Sequence, residues 1–263
     1  MARHGSSAAL KARPYLRRVA LKREDVASYD AYPFSIPAVR ELHDIDFHRD
    51  VTFVIGENGC GKSTLLEAIA TAWGFNPEGG SVNFRFSTRA SHSELHTHLR
   101  LVKSTRRPRD GFFLRAESFF NVATRIESMD AEAAPAPPVI DSYGGRSLHE
   151  QSHGESFLAL MLHRFGGRGL YILDEPEAAL SPARQLAVLR RIHQLVEHES
   201  QFIIATHSPI LMAYPSAKIL LLDANGFTEV RYEDTEHYAV TREFLANPGG
   251  MLKRLFAEDK GDD

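Results

Sequence analysis

The feature that most constrains this chain is a glycine-rich stretch that fits the pattern G-x-x-x-x-G-K-[ST]. An apolar run at 51–55 precedes it, and an apolar pattern at helical spacing, 65–70, follows it. Strand, glycine loop and helix are the setting in which this pattern binds phosphate, because backbone N–H groups turn inward and the helix start adds its positive dipole end. The residues predicted to bind the phosphates are consecutive: Gly56, Glu57, Asn58, Gly59, Cys60, Gly61, Lys62, Ser63 and Thr64.

Two side chains of this loop carry specific chemistry. Lys62 is predicted to reach the β- and γ-phosphates and to act in catalysis, and the Ser63 hydroxyl to coordinate Mg²⁺. Glycine-rich turns also occur without ligands, but the Lys-Ser pair and the flanking pattern argue against that reading here. The sequence therefore predicts ATP and Mg²⁺ as cofactors.

Composition excludes several classes of protein. With 43% hydrophobic residues, 25% charged residues and a net charge of -3, the chain resembles an ordinary soluble protein without a global basic footprint. Cys60 is the only cysteine, so an intramolecular disulfide is excluded and a reducing compartment is favoured. No apolar run approaches the roughly 18 residues that a membrane span needs, and residues 1–13 lack the apolar segment of a secretory signal. We expect a cytoplasmic protein without membrane insertion.

Two short strands, 15–21 and 45–47, are predicted before the glycine loop, with Pro33 and Pro37 between them. Tyr32 and Phe34 lie a little over twenty residues before Gly56. Either aromatic ring could stack on adenine, although packing against the core is the commoner fate of such rings.

Alternating apolar residues after the glycine-loop helix suggest an antiparallel hairpin formed by Val82, Phe84 and Phe86 with Leu95, Leu99 and Leu101. Three histidines cluster in the same region, at His92, His96 and His98. Without cysteines or suitably spaced carboxylates, solvated histidines are favoured over a metal site. The basic run 103–109 would suit a polyanion, but a solvated charged loop is the simpler interpretation.

A second group of candidate residues follows two further apolar strands. Asp174 and Glu175 follow the run 169–173, and His207 comes just after the run 201–205. Asp174 is predicted to hold Mg²⁺, mainly through water, and Glu175 to polarise the attacking water as a catalytic residue. His207 is placed to hydrogen-bond a γ-phosphate or that water.

A helix start lies between these groups, at 151–156. Ser152 and Gly154 offer a hydroxyl and free N–H groups to a phosphate, and Glu155 adds acidic character to the first turn. Taken alone, these residues form only a good helix cap.

The order of these motifs resembles that of an ABC-type ATPase domain: glycine loop, Ser-x-Gly-Glu signature, Leu-Asp-Glu-Pro, then histidine. The resemblance covers nearly the whole chain. It implies a head-to-tail homodimer that sandwiches two ATP molecules, each between one subunit's glycine loop and the other subunit's signature. Ser152, Gly154 and Glu155 then match the signature that contacts the γ-phosphate in trans, and His207 matches the switch histidine.

Three positions depart from the family pattern. His153 stands where the signature usually has glycine, and Ser181 replaces an aspartate after the second acidic motif. The Mg²⁺-sensing glutamine is missing, because residues 65–150 contain no glutamine. Glu117 is the candidate substitute and thus a third predicted metal ligand.

The motif variants are similar to soluble ABC-type ATPases of the RecF, SMC and OLD-like "AAA family ATPase" group. We expect a single α/β P-loop domain over 1–263, with a mostly parallel core sheet and an antiparallel β layer. A helical region at about 130–165 would carry the signature, and residues 1–13 and 258–263 would form tails. We expect an ATPase that acts on an unidentified protein or DNA partner. The alternatives are the ATP-binding subunit of a transporter and a nucleotide-gated binding module that hardly hydrolyses ATP.

Overall fold

The computed structural model describes residues 14–82, 93–117, 119–131 and 138–258. A few side chains in these ranges are not described, and His153 is one of them. Its largest element is a six-stranded sheet with the strand order β5-β6-β7-β3-β8-β9. The strands are β3 Val51–Gly56, β5 Asp110–Arg115, β6 Gly169–Asp174, β7 Gln201–Ala205, β8 Lys218–Asp223 and β9 Gly226–Val230.

All neighbouring strands of this core sheet pair in parallel except β8 and β9, which form an antiparallel hairpin. Every residue of β3, β6 and β7 is buried. Parallel strands that are covered on both faces read as continuous apolar runs, which is why the sequence pattern identified them. The carboxyl ends of β3, β6 and β7 therefore meet at one edge of the sheet, in register at Val54, Asp174 and Ala205.

A smaller antiparallel sheet has the order β2-β1-β4, with β1 Leu16–Leu21, β2 Asp44–Asp46 and β4 Leu99–Lys103. The buried Gln201 amide ties it to the core sheet, since Oε1 accepts from the Leu16 N–H at 2.9 Å and Nε2 donates to the Leu16 carbonyl at 2.8 Å. The expected antiparallel layer is thus present.

The helices are α1 Pro37–Arg40, α2 Lys62–Trp73, α3 Phe119–Ala131, α4 His153–Ala159, α5 Pro182–Glu197, α6 Pro209–Met212, α7 Glu236–Ala246 and α8 Pro248–Glu258. Helix α4 continues as a π-helical turn, Leu160–Arg164. Short 3₁₀ turns occupy Arg23–Asp25, Glu94–His98, Val139–Tyr143 and Tyr232–Asp234.

Two apolar clusters lie on opposite faces of the core sheet, and alternate residues of β3 supply them. Phe53 and Ile55 belong to the cluster that contains α3, α4 and α5, whereas Val54 belongs to the cluster that contains α2 and the antiparallel sheet. Helix α2 is therefore packed between the two sheets. Since α2 begins at Lys62, the glycine loop is held between a buried strand and a buried helix.

The predicted hairpin is only partly recovered. Leu99 and Leu101 lie in β4, which pairs with β1, but Leu95 lies in a 3₁₀ turn rather than in a strand. Phe84, Phe86 and His92 lie outside the described residues, as do 132–137 of the loop expected at 130–138. Helix α3 runs to Ala131, so the break begins at least one residue later than the Ala- and Pro-rich composition suggested.

None of the helices that the model describes is both long enough and apolar enough to cross a membrane.

Candidate functional site

The glycine loop lies between the end of β3 and the start of α2. Gly61 has a φ of 102°, a backbone conformation that residues other than glycine rarely adopt. A Cβ at this position would also collide with the side chain of Ile36. The loop is therefore shaped by glycine for both conformational and steric reasons. Ala38 reinforces it, because its N–H donates to the Cys60 carbonyl at 3.3 Å.

Lys62 is folded back onto its own loop. Its ammonium donates to the carbonyl oxygens of Gly56 and Glu57, each at 2.8 Å, and the residue is only 4% exposed. A lysine held in this way keeps its charge at the mouth of the loop, where an incoming phosphate can replace the carbonyl acceptors.

Ser63 and Asp174 meet across the edge of the core sheet, although 111 residues separate them in the chain. The Ser63 hydroxyl donates to Asp174 Oδ1 at 3.0 Å. Burial raises the pKa of Asp174 to about 6, against the lowering effects of the Ser63 hydrogen bond and of Arg115. A buried carboxylate beside a hydroxyl is a pair of oxygen ligands that suits Mg²⁺. The cation would also compensate the negative charge of the buried Asp174 carboxylate.

Arg115, at the end of β5, connects three carboxylates around this pair. It contacts Glu67 at 2.6 Å, Glu117 at 3.2 Å and, through Nε, the Asp174 carboxylate at 3.8 Å. Glu117, the candidate substitute for the sensing glutamine, points largely into solvent with 85% of its side chain exposed. In the free protein its carboxylate is thus held by Arg115, a residue that the sequence reasoning did not single out.

Glu175 begins the turn after β6 in an unusual backbone conformation. Its φ is 51°, and the turn is fixed by its own N–H, which donates to the Ala205 carbonyl at 3.0 Å. Left-handed backbone at a residue other than glycine costs free energy of the order of 1 kcal/mol and is concentrated at functional sites. Here it turns Glu175 away from the strand and towards His207.

His207 is held from two sides. Its backbone N–H donates to Glu177 Oε1 at 2.6 Å, and its ring Nδ1 lies 3.2 Å from Nε2 of His237 at the start of α7. Its other nitrogen, Nε2, lies 3.8 Å from the Glu175 carboxylate and is buried without a hydrogen-bond partner among the described residues. Burial, and then the charge of Lys62, lowers the pKa of His207, which keeps the ring neutral at pH 7.

Glu177 and His237 were both missed by the sequence reasoning. Glu177 follows the Asp-Glu-Pro motif, so its position was a usable signal. His237 lies 30 residues beyond His207, and only the packing of α7 brings it to the site.

The signature residues form a closed hydrogen-bond cluster at the start of α4. Glu155 Oε2 accepts from the backbone N–H of Ser152 at 3.1 Å, which is one half of the capping box at this helix N-terminus. The same oxygen also accepts from the Ser152 hydroxyl at 2.8 Å. Arg184 of α5 contacts both residues, at 3.3 Å to the Ser152 hydroxyl and at 3.1 Å to Glu155 Oε1. The Ser152 hydrogen bonds lower the pKa of Glu155, so this cluster carries a carboxylate at neutral pH.

Gly154 has a packing role in addition to its predicted phosphate contact. A Cβ at this position would meet the Ala179 carbonyl at 2.6 Å and Arg184 at 2.7 Å. The first turn of α4 therefore lies directly against the segment that follows Glu177. Ser181, which replaces the family aspartate in that segment, caps α5 by accepting from the Arg184 N–H at 3.4 Å.

Signature and acidic residues of one chain line a common groove of about 590 Å³. Its lining residues include Ser152, Gly154, Glu117 and Glu175, but none from the glycine loop. The fold thus presents two separate surfaces in one chain: the glycine loop with Asp174, and the signature beside Glu175.

The two aromatic candidates for adenine stacking differ in accessibility. Phe34 is 5% exposed, and its ring packs edge-on against His98 at 4.9 Å between centroids. Tyr32 is 66% exposed in the same loop, so it is the ring that remains available to a base.

Comparisons with known proteins agree with this geometry. A family model described as "AAA domain" matches residues 25–119, and a second AAA domain model, whose description adds the AbiEii toxin of a Type IV TA system, matches 139–213. An "Uncharacterized ABC transporter ATP-binding protein" of Haemophilus influenzae is 28% identical over 190 residues, which cover 67% of this chain and 71% of the relative. The "Vitamin B12 import ATP-binding protein BtuD" of Vibrio cholerae is 31% identical over 191 residues, covering 66% of this chain and 74% of the relative.

The chain belongs to the ABC-type ATPases. Among solved structures, the "SMC head domain from Thermotoga maritima" aligns with a TM-score of 0.41 and 17% identity, over 82% of this chain and 98% of that chain.

The residues of this ABC-type ATPase fit ATP and Mg²⁺, as three structural features indicate. The buried Nε2 of His207 lacks a partner, Lys62 occupies its own loop carbonyls, and Asp174 is a desolvated carboxylate next to a hydroxyl. No group of three or more histidine, cysteine, aspartate or glutamate side chains within the described ranges could hold a metal ion by itself. Mg²⁺ is commonly held by one or two protein ligands together with water and phosphate oxygens, and Ser63 and Asp174 would supply such a pair.

The histidines predicted near the hairpin have local contacts instead. His96 Nδ1 lies 3.1 Å from the Ser93 carbonyl, and His98 contacts Thr97 at 3.0 Å in addition to Phe34.

Proposed function

We propose that this ABC-type ATPase hydrolyses ATP with Mg²⁺ at the edge of the core sheet where β3, β6 and β7 end. The observation that carries the proposal is the convergence of three features: the Ser63–Asp174 hydrogen bond, the strained Glu175 and the partnerless Nε2 of His207. A desolvated Asp174 carboxylate, a left-handed Glu175 backbone and a buried His207 Nε2 without a partner among the described residues each cost free energy in a purely structural role. A phosphate group with its metal ion would account for all three.

The proposed roles follow from these positions. Lys62 and the loop N–H groups bind the phosphates, while Ser63 and Asp174 hold Mg²⁺, which when bound neutralises phosphate charge. Glu175 orients a water molecule and accepts its proton, and His207 donates a hydrogen bond from Nε2 to the phosphate that leaves. Glu117 would join the metal site only after release from Arg115.

The contact between the two histidines is compatible with the tautomer that this role requires, with Nδ1 of His207 3.2 Å from Nε2 of His237. A neutral His207 that donates from Nε2 must accept at Nδ1, and the only group within reach there among the described residues is Nε2 of His237. We assign His237 as a positioning residue: its N–H holds His207 in the tautomer that donates towards the nucleotide.

A homodimer completes the proposed site. Ser152 and Gly154 line a groove that contains no residue of their own glycine loop, and we propose that a second copy brings its nucleotide to them and to the neighbouring Glu155. Arg184, in contact with Ser152 and Glu155, would add a cation to that contact.

What the ATPase cycle acts on is the second part of the proposal. We infer a macromolecular partner, a protein or a nucleic acid, on which closure of the dimer does work. A second candidate is equally well supported: the relatives from Haemophilus influenzae and Vibrio cholerae bear the names of transporter ATP-binding proteins. Co-purification with a membrane permease would decide for that candidate.

The variant Glu175→Gln tests the proposed chemistry. It removes the base while Asp174 remains, so ATP should bind and turnover should fall by about 1,000-fold, within the usual contribution of a general base. Because the uncleaved γ-phosphate then persists as the bridge between Lys62 and Ser152, size-exclusion chromatography with Mg-ATP should show a dimer that is absent with ADP.

Glu24→Gln, an exposed change in a 3₁₀ turn, is the matched control and should behave as the wild type. Identical elution of Glu175→Gln with ATP, with ADP and without nucleotide would defeat the sandwich dimer. A wild type that binds ATP but turns over no faster than Glu175→Gln would instead identify a nucleotide-gated binding module.

A further inference from the structure

A basic groove of about 750 Å³ lies at the amino end of β5, away from the nucleotide site. Its walls come from the end of α2, from β4 and from the loop that connects β4 to β5. Five cationic side chains line it: Lys103, Arg106, Arg107, Arg109 and Arg164. Since the whole chain carries a net charge of -3, this groove reverses the sign of the protein's overall charge.

Two of these cations are already neutralised. Arg106 contacts Glu199 at 2.6 Å, and Arg164 contacts Asp110 at 2.8 Å. These pairs lie at partly buried positions and hold the connecting loop against the core.

The other three cations are unbalanced. Lys103, Arg107 and Arg109 are exposed, and across the described ranges none of them forms an ion pair with a carboxylate. The loop thus places three free positive charges within a few residues of one another. Like charges held this close repel, and a bound anion would relieve that repulsion.

Lys103 is fixed within the groove rather than left to move in solvent. Its ammonium lies 4.4 Å from the centre of the Trp73 ring, at the last residue of α2. Partial burial, and then the charge of Arg107, lowers the pKa of Lys103. A cation–π contact of this kind holds the ammonium against the Trp73 ring at the wall of the groove.

We propose that this groove binds the phosphate backbone of a single nucleic-acid strand. The planar forks of Arg107 and Arg109 match phosphate oxygens, and the concave shape admits one strand more readily than a duplex. The indole of Trp73, which contacts Lys103, adds apolar surface to the lining of the groove beside a sugar or a base. A groove with both guanidinium forks and an aromatic wall favours a nucleic acid over an acidic peptide.

The groove is independent of ATP chemistry. Helix α2 separates the groove from the glycine loop, because Lys62 is the first residue of the helix and Trp73 is its last. These two residues are roughly 17 Å apart at 1.5 Å per residue. This proposal rests on the proposed function in one respect: it names the macromolecular partner that the proposed function leaves unidentified. Binding of the nucleic-acid strand can be measured without nucleotide. A failure to bind the strand would therefore leave the proposed ATPase function intact, and a loss of ATP turnover would leave the proposed strand binding intact.

The test is fluorescence anisotropy with a labelled oligothymidylate of about 12 nucleotides, a length within the usual site sizes for single strands. The variant is Arg107→Glu with Arg109→Glu, and the matched control is Arg190→Glu with Lys253→Glu, which reverses two exposed charges elsewhere. We expect the groove variant to bind at least about 10-fold more weakly and its salt slope to fall by about 1.4, since each lost phosphate contact removes about 0.7. The control should stay within about 2-fold of the wild type.

Trp73 gives a second readout, because it is the only tryptophan in the chain. Its emission should change when the oligonucleotide binds to the wild type and to the control, while ATP turnover stays unchanged in all three proteins. Arg107→Gln with Arg109→Gln should show a smaller loss of affinity than the charge reversal, which separates charge from folding effects.

Three results would overturn the proposal. The first is an equal loss of affinity in the groove variant and in the control. The second is oligonucleotide binding without any change in Trp73 emission. The third is tighter binding of a duplex, or of polyglutamate with the same number of charges, than of the single strand.

Discussion

The glycine-loop region and the signature region, two surfaces of one chain, differ in how far the fold has already built them. Lys62 and Asp174 are 4% and 5% exposed, and they are fixed by a buried strand, a buried helix and a hydrogen bond across the sheet edge. Ser152 and Glu155 lie on the surface, where they and Arg184 satisfy one another. The first region is preorganised for a ligand, whereas the second must exchange its internal hydrogen bonds for a ligand that another molecule brings.

This difference explains why the groove beside the signature is open and contains no glycine-loop residue. The preorganised glycine-loop region binds its ligand without rearrangement. The signature region, whose polar groups already bond to one another, binds only a ligand that offers better hydrogen-bond acceptors. Changes in the first region should therefore alter nucleotide affinity or protein stability, and changes in the second should alter assembly.

Among the changes that compare the two regions, Lys62→Ala should have the largest effect. The change removes the charge that the phosphates would meet, and loss of a buried charged partner costs about 3 kcal/mol or more, so ATP affinity should fall by at least about 100-fold. The Gly56 and Glu57 carbonyls become accessible to water, so the fold should survive. Titration of a fluorescent ATP analogue measures the affinity, and Lys253→Ala, an exposed change in α8, is the control. Unchanged affinity in a folded variant would remove Lys62 from the site.

The next effect is the pH dependence of stability from Asp174. Its folded pKa of about 6 lies above that of an unfolded aspartate, about 3.9, so the folded state binds this proton more tightly. This contribution to stability is fully present below pH about 4 and is lost as the pH rises through about 6. A shift of about 2 units corresponds to at most about 3 kcal/mol.

Urea unfolding of the metal-free protein checks this prediction. Between pH 4.5 and 7.5, in the range set by those pKa values, Asp174→Asn should gain stability relative to the wild type as the pH rises. When the series is extended below pH 4.5, Glu155→Gln should show the opposite trend, because the Ser152 hydrogen bonds lower the pKa of Glu155 and its contribution is lost as the pH falls. Parallel curves for the wild type and Asp174→Asn would show that the carboxyl is not desolvated.

Ser152→Arg should affect assembly and leave monomeric ATP binding nearly unchanged. A bulky side chain at the contact with the partner's phosphate should weaken ATP-dependent dimerisation by about 2 kcal/mol or about 30-fold. Sedimentation with Mg-ATP in a Glu175→Gln background measures this, with the exposed Ser28→Arg as control. Normal dimerisation of Ser152→Arg would place the dimer contact elsewhere.

The smallest effect is expected for His237→Phe. Loss of one neutral hydrogen bond to His207 is worth about 1 kcal/mol, so turnover should fall by about 5-fold while ATP affinity is kept. His237→Gln retains an N–H donor and should recover most of the rate. If both variants turn over equally slowly, the packing of the ring and not its hydrogen bond is what matters.

Much of the core could be predicted from the sequence, because fully buried parallel strands appear as short apolar runs that end in their functional residues. The glycine loop before α2, Asp174 after β6 and His207 after β7 are of this kind. The hairpin of β8 and β9 and the helices α7 and α8 were not predicted. Strand β8 does contain an apolar run, at 219–222, but no motif adjoins it. Strand β9 is partly exposed and helices α7 and α8 are mostly exposed, so their apolar patterns are weak.

Local sequence by itself determined which residue types stand in the site, because glycine loops, acidic strand ends and helix caps are set by short-range backbone chemistry. Tertiary structure alone decided which of them meet. The hydrogen bond between Ser63 and Asp174 spans 111 residues, and the contact between His207 and His237 depends on how α7 packs. Tertiary structure likewise paired Glu67 with Arg115, buried Phe34 while leaving Tyr32 exposed, and set Lys103 over Trp73. Burial and charge balance depend on the whole fold, and no local pattern encodes them.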